Sequence, residues 1–94
     1  SEVIEKAVEA VQARIGGGFD GTVKFVIENE GAIMIDEDGV RAGDDEAECT
    51  LTADRDTFQG IMEGEVNPTT AFMSGKLKLD GDMGTAMKLG AALS

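Results

Sequence analysis

Five stretches of this chain alternate apolar and polar side chains with a period of two, and each gathers its main apolar groups on one side. In "GTVKFVIEN", Val23, Phe25 and Ile27 share one face, opposite Thr22, Lys24, Val26 and Glu28. In "AIMIDE", Ile33 and Ile35 share a face with Met34 opposite. "VRAG" is a short third strand, and Asp38-Gly39 before it is a hairpin signal. In "EAECTLTA", Cys49 and Leu51 turn inward and Glu48, Thr50 and Thr52 outward. In "SGKLKLDGD", Leu77 and Leu79 oppose Lys76 and Lys78. Strands buried on both faces, as in parallel sheets, read as continuous apolar runs, whereas alternation marks a sheet with one covered face. The pattern therefore predicts a mainly antiparallel sheet of five strands, with helices on one side and water on the other.

The helices that would cover it have their own period. Val3, Ile4, Ala7, Val8, Val11 and Ile15 recur at three- and four-residue steps, predicting a helix from about Glu2 to Ile15. Gly16-Gly17-Gly18 stops it. Asp54 caps a second helix through about Met62, with Phe58, Ile61 and Met62 on its apolar side. Asn67-Pro68 opens a short turn, "PTTAFM". A last helix starts near Asp82, with Met83, Ala86, Met87 and Gly90 on one stripe and Leu89 and Leu93 beside it. The expected fold is a two-layer α+β domain spanning residues 1–94.

Composition removes several function classes. The net charge of −11 opposes nucleic acid, which needs clustered Lys and Arg. Nine of the acids lie between Asp36 and Asp56, as a solvated face would. With no histidine, Ser-His-Asp, Cys-His and histidine–metal sites cannot be built. The single cysteine, Cys49, excludes an internal disulfide and sits at an inward strand position without a base. The charged N-terminus is not a signal peptide and no apolar run approaches a membrane span, so a soluble cytoplasmic protein is expected.

Two motifs fail on inspection. Gly75-Lys76 is followed by Leu77 rather than Ser or Thr, has Thr70 where a phosphate loop has glycine, and leads into a strand. With Gly39 at the sharp turn of a calcium loop, Asp36 and Asp38 align with ligand positions, but Met34 replaces the first oxygen ligand and Asp45 the long bidentate Glu. What remains is apolar: five Met, with Phe, concentrate in the segments that should cover one sheet face. Pattern alone leaves two outcomes open, a closed core or a pocket for an apolar chain.

Residues 47–93 carry a more specific signal. "CTLT" runs into the helix at Asp54, "G-x-x-NP-x-x-A-F-x-x-GKLK" spans Gly64 to Lys78, and "GDMGxAMKL" spans Gly81 to Leu89. In order and spacing this resembles the C-terminal half of a sterol carrier protein type 2 domain, and "FVIENEGAIMID" with the first helix is compatible with the rest.

The resemblance implies a five-stranded sheet with helices over one face and a hydrophobic tunnel between them. It also implies binding of a fatty acid, fatty acyl-CoA or related lipid, with no catalytic residue and no cofactor. Carried onto this sequence, the tunnel lining is Phe58, Ile61, Met62, Phe72, Met73, Leu77, Leu79, Met83 and Met87. Strand alternation adds Phe25, Ile33 and Ile35. The chain ends soon after the last helix, without the extended tail and peroxisomal signal of many eukaryotic members, so a prokaryotic stand-alone version is expected. An acyl chain is then the expected ligand ahead of a sterol, with Lys76, Lys78 or Lys88 as candidates to meet its anionic head. The acidity implies at most transient membrane contact, and a weak homodimer is compatible with the pattern. The alternative is a non-catalytic module that partners a lipid- or CoA-metabolising enzyme.

Overall fold

The computed structural model of the chain describes residues 2–93. Helix α1 (Glu2–Ile15) buries Ile4, Ala7 and Val11, the centre of its apolar stripe. It ends where the N–H of Gly16 donates to the carbonyl of Gln12 at 2.9 Å, Gly16 taking a φ of 73°. Strands β1 (Val23–Ile27), β2 (Gly31–Asp36), β3 (Gly39–Ala42), β4 (Cys49–Ala53) and β5 (Leu77–Gly81) form one sheet in the order β3-β2-β1-β4-β5. Helices α2 (Arg55–Met62), α3 (Pro68–Met73) and α4 (Met83–Leu93) complete the fold. All three antiparallel pairs are neighbours separated by a hairpin or a helical excursion, while β1 and β4 pair in parallel at the centre, with Val23 opposite Cys49 and Phe25 opposite Leu51. The sheet is thus mixed and mainly antiparallel, as the alternation requires.

Helix α1 packs over β2 and β3, and α4 lies over β4 and β5. Between them Phe58 of α2 meets Phe25 of β1 edge-on, ring centroids 5.0 Å apart. Cys49 is fully buried, and desolvation, followed by the charges of Asp82 and Asp80, raises the pKa of its thiol. It is a small core residue.

Two elements depart from expectation. "PTTAFM" is a six-residue helix rather than a turn, because Asn67 caps it and Pro68 supplies a helical φ at its first position. The face expected to meet water is partly covered. From the end of β3 the chain crosses back to β4 over that face. The Gly43 N–H donates to Ala32 O (3.1 Å), Asp44 pairs with Lys24 (2.8 Å) and the Glu48 N–H donates to Thr22 O (3.1 Å). Beneath this strap Met34 is only 1% exposed. The parallel β1–β4 pairing is the cause, since joining β3 to a strand three places across the sheet and parallel to it requires a crossover.

The acid-rich β2–β3 tip works as a hairpin. Asp36 accepts two hydrogen bonds from the Arg41 guanidinium (2.8 and 3.1 Å) and one from the Asp38 N–H (3.0 Å), and its pKa is lowered chiefly by Arg41.

Candidate functional site

Between the β5 side of the sheet and helices α3 and α4 lies a cleft of about 460 Å³. Phe25, Leu51, Leu77 and Leu79 form its floor, the inward positions of β1, β4 and β5. Pro68, Thr69, Phe72 and Met73 of α3 form one wall, and Met83, Ala86, Met87, Gly90, Ala91 and Leu93 of α4 the other. Ile61 and Asn67 complete it.

Local chemistry sets each wall in place. The Asn67 side-chain oxygen accepts from the N–H groups of Thr69 (2.8 Å) and Thr70 (3.2 Å), fixing the start of α3. Gly75, at a φ of 83°, then turns the chain into β5, and the Lys76 N–H donates to Ala71 O (2.9 Å). Asp82 caps α4, accepting from the Thr85 N–H (2.9 Å) and the Thr85 hydroxyl. These bonds, hydroxyl first, lower the pKa of Asp82. The far end of α4 is held by Arg14, whose guanidinium donates to Leu93 O (2.6 Å) and to Met62 O.

Among the described residues the cleft has no ionisable side chain on its walls, and the Asn67 oxygen is already engaged in capping. Around it, large apolar groups stand in solvent: Phe72 is 41% exposed, Met83 50%, Met87 69% and Met73 80%. Such a surface contains no nucleophile–base pair and suits contact with apolar matter. The three lysines are placed otherwise. Lys88 donates to Asp20 O (2.9 Å) and lies 5.9 Å from the Phe19 ring centroid. Lys78 sits at a β5 position that alternates away from the cleft floor, opposite Thr52. Lys76 is exposed near Asp54, whose pKa it helps to lower after the bonds from Thr57.

Residues 4–94 match the SCP-2 sterol transfer family. The chain belongs to that family. "Hydroxysteroid dehydrogenase-like protein 2" of Bos taurus is 36% identical over 90 residues, 95% of this chain but 21% of that protein. "Sterol carrier protein 2" of Homo sapiens is 50% identical over 46 residues, 49% of this chain and 8% of that one. The chain therefore spans a small part of the curated relatives it matches. Among solved structures, the Aedes aegypti sterol carrier protein-2 in complex with palmitate has a TM-score of 0.79 at 21% identity, covering 100% of this chain and 96% of that one. That likeness establishes the shared SCP-2 fold.

Against this SCP-2 cleft, the residues expected to line it separate into two groups. Phe25, Ile61, Phe72, Met73, Leu77, Leu79, Met83 and Met87 come together on its walls. Phe58, Met62, Ile33 and Ile35 do not. Phe58 lies in the core, edge-on to Phe25, and Met62 packs against the core at the end of α2. Ile33 and Ile35 are fully buried on β2, under α1 rather than α4. Strand alternation assigns a face, not a position along the sheet, and cannot separate the α1 half from the α4 half. The same alternation already turned Leu51 inward, and the stripe through Met83 already held Ala86 and Gly90. All three line the cleft although small size or central position kept them off the expected set.

Proposed function

We propose that this chain binds one acyl chain, as a fatty acid or related lipid, in the α3–α4 cleft and carries it through the aqueous phase. The carrying observation is the cleft itself, about 460 Å³ of apolar wall without an ionisable side chain. Membership of the SCP-2 sterol transfer family and the palmitate complex of the Aedes aegypti protein support the reading. Burial of each methylene contributes about 0.8 kcal/mol, roughly fourfold in affinity. Dissociation constants for a saturated fatty-acid series should fall about fourfold per added CH₂ until the cleft is filled, then level off. Isothermal titration and native mass spectrometry of the gently purified protein test this; failure of the whole series to bind in the micromolar range would exclude it. In this reading, since no described residue of the walls is a cation, the head group lies outside the cleft, which accommodates a free carboxylate or a CoA ester alike.

A second reading has one observation behind it. The match to hydroxysteroid dehydrogenase-like protein 2 covers 21% of a longer protein, so a domain of this kind also occurs as part of larger chains. In that reading the cleft presents a lipid to an enzyme instead of to water, and stable association with such an enzyme, detected by gel filtration, would favour it.

A further inference from the structure

The chain holds five methionines, and the fold sorts them by access. Met34 is fully buried beneath the strap, and Met62 is half-buried against the core. Met73, Met83 and Met87 line the cleft, and each is at least half exposed. Cys49, the remaining sulfur, is buried, and desolvation, ahead of the charges of Asp82 and Asp80, holds its thiol in the unreactive protonated form. An oxidant in solution therefore meets sulfur first at the cleft.

The reaction there balances simply. A thioether lone pair attacks one oxygen of hydrogen peroxide; the S–O bond forms, the O–O bond breaks, and the departing hydroxide takes the proton of the transferred hydroxyl to leave as water. Sulfur gives up two electrons, peroxide is reduced, and an apolar side chain becomes a polar sulfoxide. Without cargo the new oxygen stands in water, so the fold is little affected. An acyl chain laid over it strips that water away. The polar side chains among the described wall residues are Asn67 and Thr69, both at the start of α3. Thr69 can reach Met73, one helical turn on. Met83, at the start of α4 and about 10 Å along that helix from the Gly90 that faces Pro68, has no such donor beside it. Burying an unpartnered polar group opposes binding.

We propose that Met73, Met83 and Met87 form a reversible oxidation site for hydrogen peroxide, and that their conversion to sulfoxides expels the bound acyl chain. This rests on the carrier reading and adds a chemical control on its cargo.

The test is palmitate affinity before and after peroxide treatment, with the oxidised positions read by peptide mass spectrometry. Met73, Met83 and Met87 should each gain one oxygen well before Met34. Palmitate affinity should fall about tenfold or more, with the urea midpoint unchanged. Repair by methionine sulfoxide reductases of both stereospecificities should restore it. Saturating palmitate should slow oxygen uptake at Met83 and Met87, which the bound chain covers. A variant carrying Met73→Leu, Met83→Leu and Met87→Leu, compared with itself before and after peroxide, should keep its affinity within about twofold. If that variant binds too weakly to compare, repair of the wild type decides. Full oxidation of the three sulfurs with affinity retained would overturn the oxidation site and leave the carrier reading intact. So would oxidation equally fast with and without palmitate, or a loss of affinity that repair does not reverse. A loss shared by the variant, or accompanied by a lower urea midpoint, would overturn it too, since the lesion would then lie elsewhere in the fold. Untreated protein that binds no fatty acid would instead overturn the carrier reading, and this inference with it.

Discussion

Gly81 is where a single atom decides the course of the chain into the cleft wall. It closes β5 opposite Cys49 with a φ of 108°, and a Cβ placed there would stand 2.4 Å from the backbone oxygen of Glu48. That oxygen also accepts the Asp82 N–H at 2.9 Å, so Gly81 and the cap of α4 share one anchor. Gly81→Ala should therefore cost about 1–3 kcal/mol, seen as a lower urea midpoint with unchanged m-value. A neutral effect would mean that the strand end yields easily. Asp82 next to it gives a pH signature. Its folded carboxyl, held by Thr85, takes up a proton less readily than the ordinary value of 3.8 would allow. Its contribution to stability is present above that value and is lost as pH falls through the lower folded value. Asp82→Ala should destabilise at about pH 7, and its gap from wild type should narrow at about pH 3. A gap constant across that range would remove the carboxylate from the account. Neither residue looks exceptional in sequence. A Gly-Asp pair reads as a turn and a cap, and the approach of the Glu48 carbonyl depends on a β4 that is distant in the chain.

At the scale of elements, α4 shows why sequence pattern reached the site only in part. The stripe through Met83, Ala86, Met87 and Gly90 was legible as one face, and it is the face that lines the cleft. Periodicity reports that a face is apolar but not whether another element closes on it. Leu89, one step round the helix, is fully buried while Met87 is 69% exposed. The cover that the strap from Gly43 to Glu48 gives Met34 was illegible for a related reason. A polar, acidic loop carries no period, and its place over Met34 follows from strand order, which alternation does not encode. The cleft's width can be tested through Gly90, which lines α4 with no side chain of its own. A Cβ there would meet nothing nearer than the Pro68 Cβ at 4.0 Å, in α3 across the gap. Gly90→Leu should fill the space and raise helix propensity by about 1 kcal/mol. The fold should then be as stable as wild type or more so, while fatty-acid affinity drops about tenfold or more. Retained affinity would show that ligand enters elsewhere.

The molecule as a whole is governed by an imbalance that local pairing cannot correct. Nineteen acidic side chains face eight cationic ones, so most of the negative charge has no opposite charge available, whatever the geometry. Nine acids fall between Asp36 and Asp56, along the β2–β3 hairpin, the strap and the start of α2, and three of them, Asp36, Asp38 and Asp45, lie within electrostatic reach of Arg41. Repulsion among them acts on the compact state more than on the unfolded chain, where the charges are farther apart. Salt shortens the reach of this repulsion from about 10 Å at 0.1 M towards about 3 Å at 1 M. It also weakens exposed pairs such as Arg41–Asp36 and Lys24–Asp44, but surface pairs contribute only about 0–1 kcal/mol each. Repulsion should win. Melting temperature should rise by several degrees between low salt and about 0.5 M NaCl, a gain of about 1 kcal/mol corresponding to roughly 4–8 °C in a domain of this size. The shape of the curve separates this from salting-out of apolar surface. Screening saturates once its range falls below the spacing of the charges, whereas salting-out continues as salt is added. A calorimetric series in NaCl should therefore climb steeply and then flatten. A melting temperature that stays level or falls from the first additions would mean that the exposed pairs outweigh the acidic imbalance.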